Sequence, residues 1–383
     1  MLYADLSGGT QWGVEGFLQY EFRPSVLLQC GTFFATVNYL ASGCAYVSAL
    51  GGQPFNVNDP IALANGLYPK RNPDILASDA GQFGAALRYA AAALNTELRA
   101  YAMTYHSRTP NTRVTLANVA GGYGGATTTR LTDPNGIKYA AIYAENIRLY
   151  GLSFTTKADP ALSLFGELAH RPNQPLTLNA ADVTDTFLSR FATAALNRAK
   201  NTNALAPGSS FDSYDRYPVT TASLGANQVL SSAGAILSGE IGWSHIAGLP
   251  GPGILRYGRS EDYGVAAVDG GAACIDTTAA RKSCAQEGFI TSNAWGYRLR
   301  LAANYPETFF GGRLTLSLAF AQDVNGYSYN GSFLKGRRVL RPGLRADWNR
   351  RYFSEIIYTR VAGGDYNNQV DRDNLVLAVG ANF

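Results

Sequence analysis

Apolar and polar residues alternate with period two through much of this chain, in segments of about ten residues, the length at which a tilted strand crosses a bilayer. In residues 294–305, Trp295, Tyr297, Leu299, Leu301, Ala303 and Tyr305 fall on one face, and Gly296, Arg298, Arg300, Ala302 and Asn304 on the other. Residues 12–23 divide likewise, with Trp12, Val14, Leu18, Tyr20 and Phe22 against Glu15, Gln19, Glu21 and Arg23. In 337–348, Leu340, Leu344, Ala346 and Trp348 oppose Arg337, Arg341, Arg345 and Asp347, and Pro342 marks a strand end or bulge. Weaker alternation at 82–90, 95–106, 138–156, 163–171, 217–228, 234–246, 312–323, 351–361 and 374–383 brings the total to about twelve strands.

Alternation alone suits a water-soluble sandwich as well as a membrane barrel. Two features favour the barrel. Aromatic residues gather at the ends of the apolar faces (Trp12 with Tyr20 and Phe22, Trp295 with Tyr305, Trp348), as interfacial girdles do. The connections also alternate in length: 24–81, 107–137, 172–216, 247–293, 324–336 and 362–373 are long, whereas those near 91–94, 157–162, 229–233, 306–311 and 349–350 are short. Outer-membrane barrels have this asymmetry, with short periplasmic turns and long outer loops. The pattern predicts one all-β domain over 1–383, an antiparallel transmembrane barrel of about twelve strands with long outer loops and a short helical segment. Lipid offers no hydrogen bonds, so a sheet survives there only by sealing its edges.

Composition agrees. Gly (41), Tyr (23) and Phe (18) are abundant while charged residues are 16%, low for a water-surrounded globule of 383 residues. No run of eighteen apolar residues predicts a membrane helix. The net charge of +4 is scattered, with no basic block to bind nucleic acid. The start Met1-Leu2-Tyr3-Ala4-Asp5 lacks a basic region and an apolar core, so a mature or N-terminally truncated chain is expected.

The inward charges Glu15, Glu21, Arg88, Glu97, Arg99, Glu240, Arg298, Arg300, Arg345 and Glu355 are the candidate functional residues. They admit two readings: a ladder that selects solutes in an open lumen, or pairs that plug a narrow one. Residues 180–199 depart from the strand pattern. Val183, Phe187, Leu188, Phe191, Ala195 and Leu196 recur at helical spacing after Asn179 or Asp182 as N-cap, which fits a loop plug, a greasy entry site or a surface helix. Cys30 with Cys44 and Cys274 with Cys284 fall in Gly/Ser/Asn-rich loops and are expected as disulfides rather than free thiols, without zinc-type spacing.

No cofactor, metal or catalytic site is expected. His106, His170 and His245 sit at strand ends, gathered toward the outer rim, without ligand spacing. Gly121-Gly122-Tyr123-Gly124-Gly125 lacks the context of a phosphate loop. There is no G-x-S-x-G elbow, and the adjacent His106 and Ser107 point to opposite faces of a regular strand.

The block Tyr143-Ala144-Glu145-Asn146-Ile147-Arg148-Leu149-Tyr150-Gly151-Leu152-Ser153-Phe154-Thr155-Thr156, followed by His170-Arg171-Pro172-Asn173-Gln174-Pro175-Leu176, resembles a proteobacterial outer-membrane family known as domain of unknown function thirteen hundred and two. Tyr105-His106-Ser107-Arg108, Trp295-Gly296-Tyr297-Arg298-Leu299-Arg300, Asp323-Val324-Asn325-Gly326-Tyr327-Ser328 and Asp371-Arg372-Asp373 resemble further blocks in the same order. The resemblance implies the C-terminal part of a longer barrel that is channel-like or handles hydrophobic compounds, with no established catalytic residue. The strand ending at Phe383 resembles the signal read by the outer-membrane assembly machinery. The expected function is passage of hydrophobic or amphipathic small molecules; a complex-docking barrel without conductance and a general porin are the alternatives. Expected partners are outer-membrane lipid, the assembly machinery, and a periplasmic lipoprotein or exporter component.

Overall fold

The computed structural model describes residues 1–6, 11–29, 32–33, 39–41, 70–115, 138–184, 195–206, 208–260, 263, 285–349 and 351–381. The strands, in chain order, are β1 (Leu2–Leu6), β2 (Trp12–Gln19), β3 (Lys70–Arg71), β4 (Gln82–Ala91), β5 (Thr96–Tyr105) and β6 (Asn111–Thr115). Then come β7 (Lys138–Ile142), β8 (Ile147–Lys157), β9 (Leu162–Thr177), β10 (Ser210–Asp212), β11 (Tyr214–Leu230) and β12 (Ala235–Ile246). The chain ends with β13 (Asn293–Phe309), β14 (Gly312–Asn325), β15 (Arg338–Trp348), β16 (Tyr352–Ala362) and β17 (Asn374–Ala381).

Thirteen strands form one sheet in the order β1-β2-β4-β5-β8-β9-β11-β12-β13-β14-β15-β16-β17, and every neighbouring pair is antiparallel. The fold is thus all-β, of the up-and-down barrel type, with the outer edges of β1 and β17 not joined to each other. Eleven of the segments predicted by alternation coincide with strands of this sheet, and the strand count rises to thirteen through β1. The segment 138–156 divides at Asn146, whose φ of 56° breaks the strand. Its first part, β7, leaves the wall and joins β10, β6 and β3 in a four-stranded sheet among the long loops.

Register confirms the two faces. Trp295, Leu299 and Leu301 share a face with Leu237, Ile241 and Trp243 on β12 and with Leu316 and Leu318 on β14, all of them exposed except the half-buried Trp295. That oily face runs from Leu2 on β1 to Val379 on β17. From Trp295 to Tyr305, at ~3.3 Å per residue and a tilt of ~40°, it stands about 25 Å tall, the height of a barrel's lipid-facing band. An apolar surface this continuous is far larger than a water-soluble monomer tolerates. Among the described residues no helix is long and apolar enough to cross a membrane.

Short turns join the strands at one end, using left-handed residues at Asn95, Gly234, Gly311 and Asn349. The long connections leave the sheet from the other end. Their core joins Val114, Leu176, Leu178, Val183, Leu196, Val219, Ile246, Leu255 and Tyr257. The helix predicted over 180–199 is described only as α1 (Ala180–Thr184) and α2 (Ala195–Lys200). Asn179 caps α1 by accepting from the Asp182 N–H at 3.0 Å, and Val183 is buried in the loop core. Phe187, Leu188, Phe191, Cys30, Cys44, Cys274, Cys284, Phe383 and the 121–125 glycine run lie outside the described residues.

Candidate lumen and its loop constriction

The face opposite the oily one carries the charges, because side chains alternate strictly along each strand. Glu15 on β2, Arg88 on β4, Glu97 and Arg99 on β5, Glu240 on β12, Arg298 and Arg300 on β13, Arg345 on β15 and Glu355 on β16 all share it, as their cross-strand register requires. Glu21 does not. Strand β2 ends at Gln19, and Glu21 accepts from Arg23 at 3.0 Å in the exposed segment beyond it. The alternation, read to Arg23, was extended four residues too far, because an apolar–polar rhythm does not show where the ladder hydrogen bonds stop.

These charges gather in separate groups. Glu97 pairs with Arg99 at 2.7 Å and with Arg88 at 3.7 Å. Arg345 pairs with Asp347 at 2.8 Å and lies 4.3 Å from the centre of the Phe353 ring. Glu240 and Arg298 are register partners where two inner cavities meet, one of about 300 Å³ toward the loops and one of about 530 Å³ toward the turns.

The loop-side cavity is covered by the β14–β15 connection, which folds over the charged face. Asp323, whose side chain is only 2% exposed, holds it there. Its carboxylate accepts from Arg298 at 2.9 Å, from Arg337 Nε at 2.6 Å and from the Leu334 N–H at 3.0 Å. Arg298 and Arg337 also donate to the Ser332 carbonyl, at 3.0 and 2.9 Å. Phe333 lies on the strand glycines Gly242 and Gly296, where added Cβ atoms would meet its ring at 3.0 and 3.1 Å. Tyr329 reaches the loop core beside it, and burial pushes its phenol pKa up.

Arg171 on β9 lines this cavity, donating to the Tyr105 hydroxyl at 3.2 Å through Nε. Its Nη1 and the Ser244 hydroxyl, from another lining residue, have no hydrogen-bond partner among the described residues. Glu167 accepts from Tyr101, whose ring covers Gly151 on the next strand. Asp323, Arg337, Arg171 and Glu167 were not among the candidates drawn from the sequence. Alternation in 163–171 puts Glu167 and Arg171 on one face, which could have found them. Nothing in sequence spacing pairs Asp323 with Arg337.

The three histidines lie toward the loop end of the strands, and two of them share a row. His106 is buried, its Nε2 2.8 Å from the Ala80 carbonyl and its Nδ1 accepting from the Asn146 N–H at 3.0 Å. His170 and His245 flank Thr220 in one row of the outer face, and Trp243 stacks on His245. Among the described residues no group of His, Cys, Asp and Glu could hold a metal.

The sequence matches, over residues 1–383, the family described as Protein of unknown function (DUF1302). No curated protein matches it. Among the solved structures to which it is similar is one titled "Crystal structure of a Pseudomonas aeruginosa FadL homologue", at 12% identity and a TM-score of 0.31, covering 78% of this chain and 64% of that one. The matched length is thus less than two thirds of that structure's chain.

Proposed function

The chain belongs to that family, and from this premise we propose that it is a non-enzymatic outer-membrane barrel of a Gram-negative cell that passes hydrophobic or amphipathic small molecules. One observation carries the reading: two cavities adjoin along the charged face, meeting at Glu240 and Arg298, beneath a loop strapped across them. The oily outer face supports insertion in lipid, and the long loops then form the outer mouth. Aromatic rings on the wall and in the strap, such as Phe165 and Phe333, offer apolar surface beside the charges. Residues 1–383 act as one domain, with the charges of the inner face as its solute-selecting ladder and 183–191 as a loop entry site. Cys30, Cys44, Cys274 and Cys284 form disulfides in the outer loops. Partners are membrane lipid, the assembly machinery acting on Phe383, and a periplasmic lipoprotein or exporter component.

Uptake of labelled hydrophobic compounds by a deletion strain, with and without the restored gene, tests the reading. Gene-dependent uptake of lipid-like compounds is the expected result, and unchanged uptake of every such compound overturns it.

A second reading, a structural or complex-docking barrel, is favoured by the ion pairs at Asp323, which hold the strap shut. Absence of conductance in planar bilayers, together with a stably co-purifying periplasmic partner, would select it; high, solute-indifferent conductance would select a general porin.

A further inference from the structure

We propose that Arg300 and Arg341 form an anion site on the inner wall, for the head group of an amphipathic oxyanion such as an alkyl phosphate or carboxylate. Register sets the geometry. Ser238 on β12 faces Arg300 on β13, Arg300 faces Ala319 on β14, and Ala319 faces Arg341 on β15, so the four lie in one row. With strands ~4.8 Å apart, the two arginine backbones stand about 10 Å from each other. The Ala319 methyl between them leaves room for an oxyanion to be gripped from both sides.

The charge pattern sets these two apart from the arginines beside them in the same wall. Arg298 and Arg337 share Asp323, and Arg345 has Asp347, whereas Arg300 and Arg341 have no carboxylate partner among the described residues. Both line the turn-side cavity of about 530 Å³. Guanidinium groups there present paired N–H donors to an oxyanion, the geometry in which arginine binds phosphate or carboxylate best. The rest of the row's surroundings decides for an amphipathic ligand: Phe165, Ala321 and Val339 line the same cavity and give an alkyl chain apolar contact beside the head group.

The site deepens the passage reading, on which it rests, and is tested by binding rather than uptake. The full chain in lipid nanodiscs is titrated calorimetrically with hexyl phosphate, with hexanol, with inorganic phosphate, and against empty nanodiscs. Hexyl phosphate is expected to bind at least about tenfold more tightly than either hexanol or inorganic phosphate. Arg300→Gln and Arg341→Gln should each weaken it about tenfold or more, as removal of a charge-assisted hydrogen bond does. Hexyl phosphate affinity unchanged in both variants overturns the site, and equal affinity for inorganic phosphate overturns its amphipathic character. Should either variant fail to fold, phenylglyoxal modification of the wild-type chain, read residue by residue by mass spectrometry, decides: hexyl phosphate must protect Arg300 and Arg341. Arginine-dependent binding without uptake would sink the passage reading alone; uptake accompanied by binding indifferent to both arginines would sink the site alone.

Discussion

Asp323 Oδ2 lies 2.6 Å from Arg337 Nε, so one ion pair ties the end of β14 to the residue before β15 and closes the connection between them over the lumen. The same carboxylate holds Arg298 on the neighbouring strand, and its side chain is almost wholly shielded from solvent. A carboxylate so placed is worth more than a surface pair, because removing it leaves two guanidinium groups without their counter-charge.

Asp323→Asn is therefore expected to free the strap. Loss of charge-assisted bonds of ~1.5–3 kcal/mol raises amide exchange in residues 326–337 about tenfold to hundredfold. Hydrogen exchange by mass spectrometry reads this directly, and single-channel recording should show a larger current. Unchanged protection would mean that Phe333 packing alone holds the strap.

Leu318 and Ala302 separate the two faces of the wall. Leu318 is 47% exposed on the oily side, and Leu318→Arg should destabilise the barrel by ~2–4 kcal/mol, the midplane cost of a lipid-facing arginine. Ala302→Arg, on the charged face, should cost less than ~1 kcal/mol because the lumen is hydrated. Urea unfolding in lipid vesicles measures both, and equal losses would contradict the assignment of faces.

Gly326 follows β14 with a φ of 75°, and a Cβ there would collide with the Asn293 carbonyl. Gly326→Ala should cost ~1–3 kcal/mol through backbone strain alone, more with the collision. Faster proteolysis at the strap, with the barrel's own melting less affected, is the expected signature.

Among the loops, burial pushes the Tyr139 phenol up to about 12 from an ordinary value of 10.0. Between these values the unfolded loop sheet loses a proton that the folded one keeps, so its stability is complete below pH 10 and falls as pH rises toward 12. Tyr257, raised by burial and by hydrogen bonds to Tyr217 and Asp215, adds in the same direction. Alkaline titration followed by loop proteolysis and by circular dichroism should show the loop layer opening while the strand signal persists. Tyr139→Phe should flatten the loop transition.

Strand after strand was legible because the wall has only two environments. A residue facing oil and its neighbour facing the lumen differ so much in transfer free energy that period two is written into Trp295 to Tyr305 and into Leu340 to Trp348. The abundance of glycine also has its reason in register: Tyr101 lies on Gly151 and Phe165 on Gly225, rings laid flat on the adjacent strand. β1 escaped notice because Leu2–Leu6 is too short to establish a rhythm. β7 was merged with β8 because alternation continues across the left-handed Asn146 that turns the chain out of the wall.

Local alternation by itself determined the all-β character, the oily and charged faces, most strand limits and the gathering of the long loops at one end, since each depends only on neighbours along the chain and the solvent they meet. Tertiary structure alone decided which charges meet. Asp323 with Arg337, Arg256 with Asp182 and the row from Ser238 to Arg341 depend on cross-strand register and loop folding, where residues far apart in sequence settle in space. A charge reads the same in sequence whether it is neutralised or free, and only the arrangement of its neighbours leaves Arg300 and Arg341 on the inner face without an ion-pair partner among the described residues.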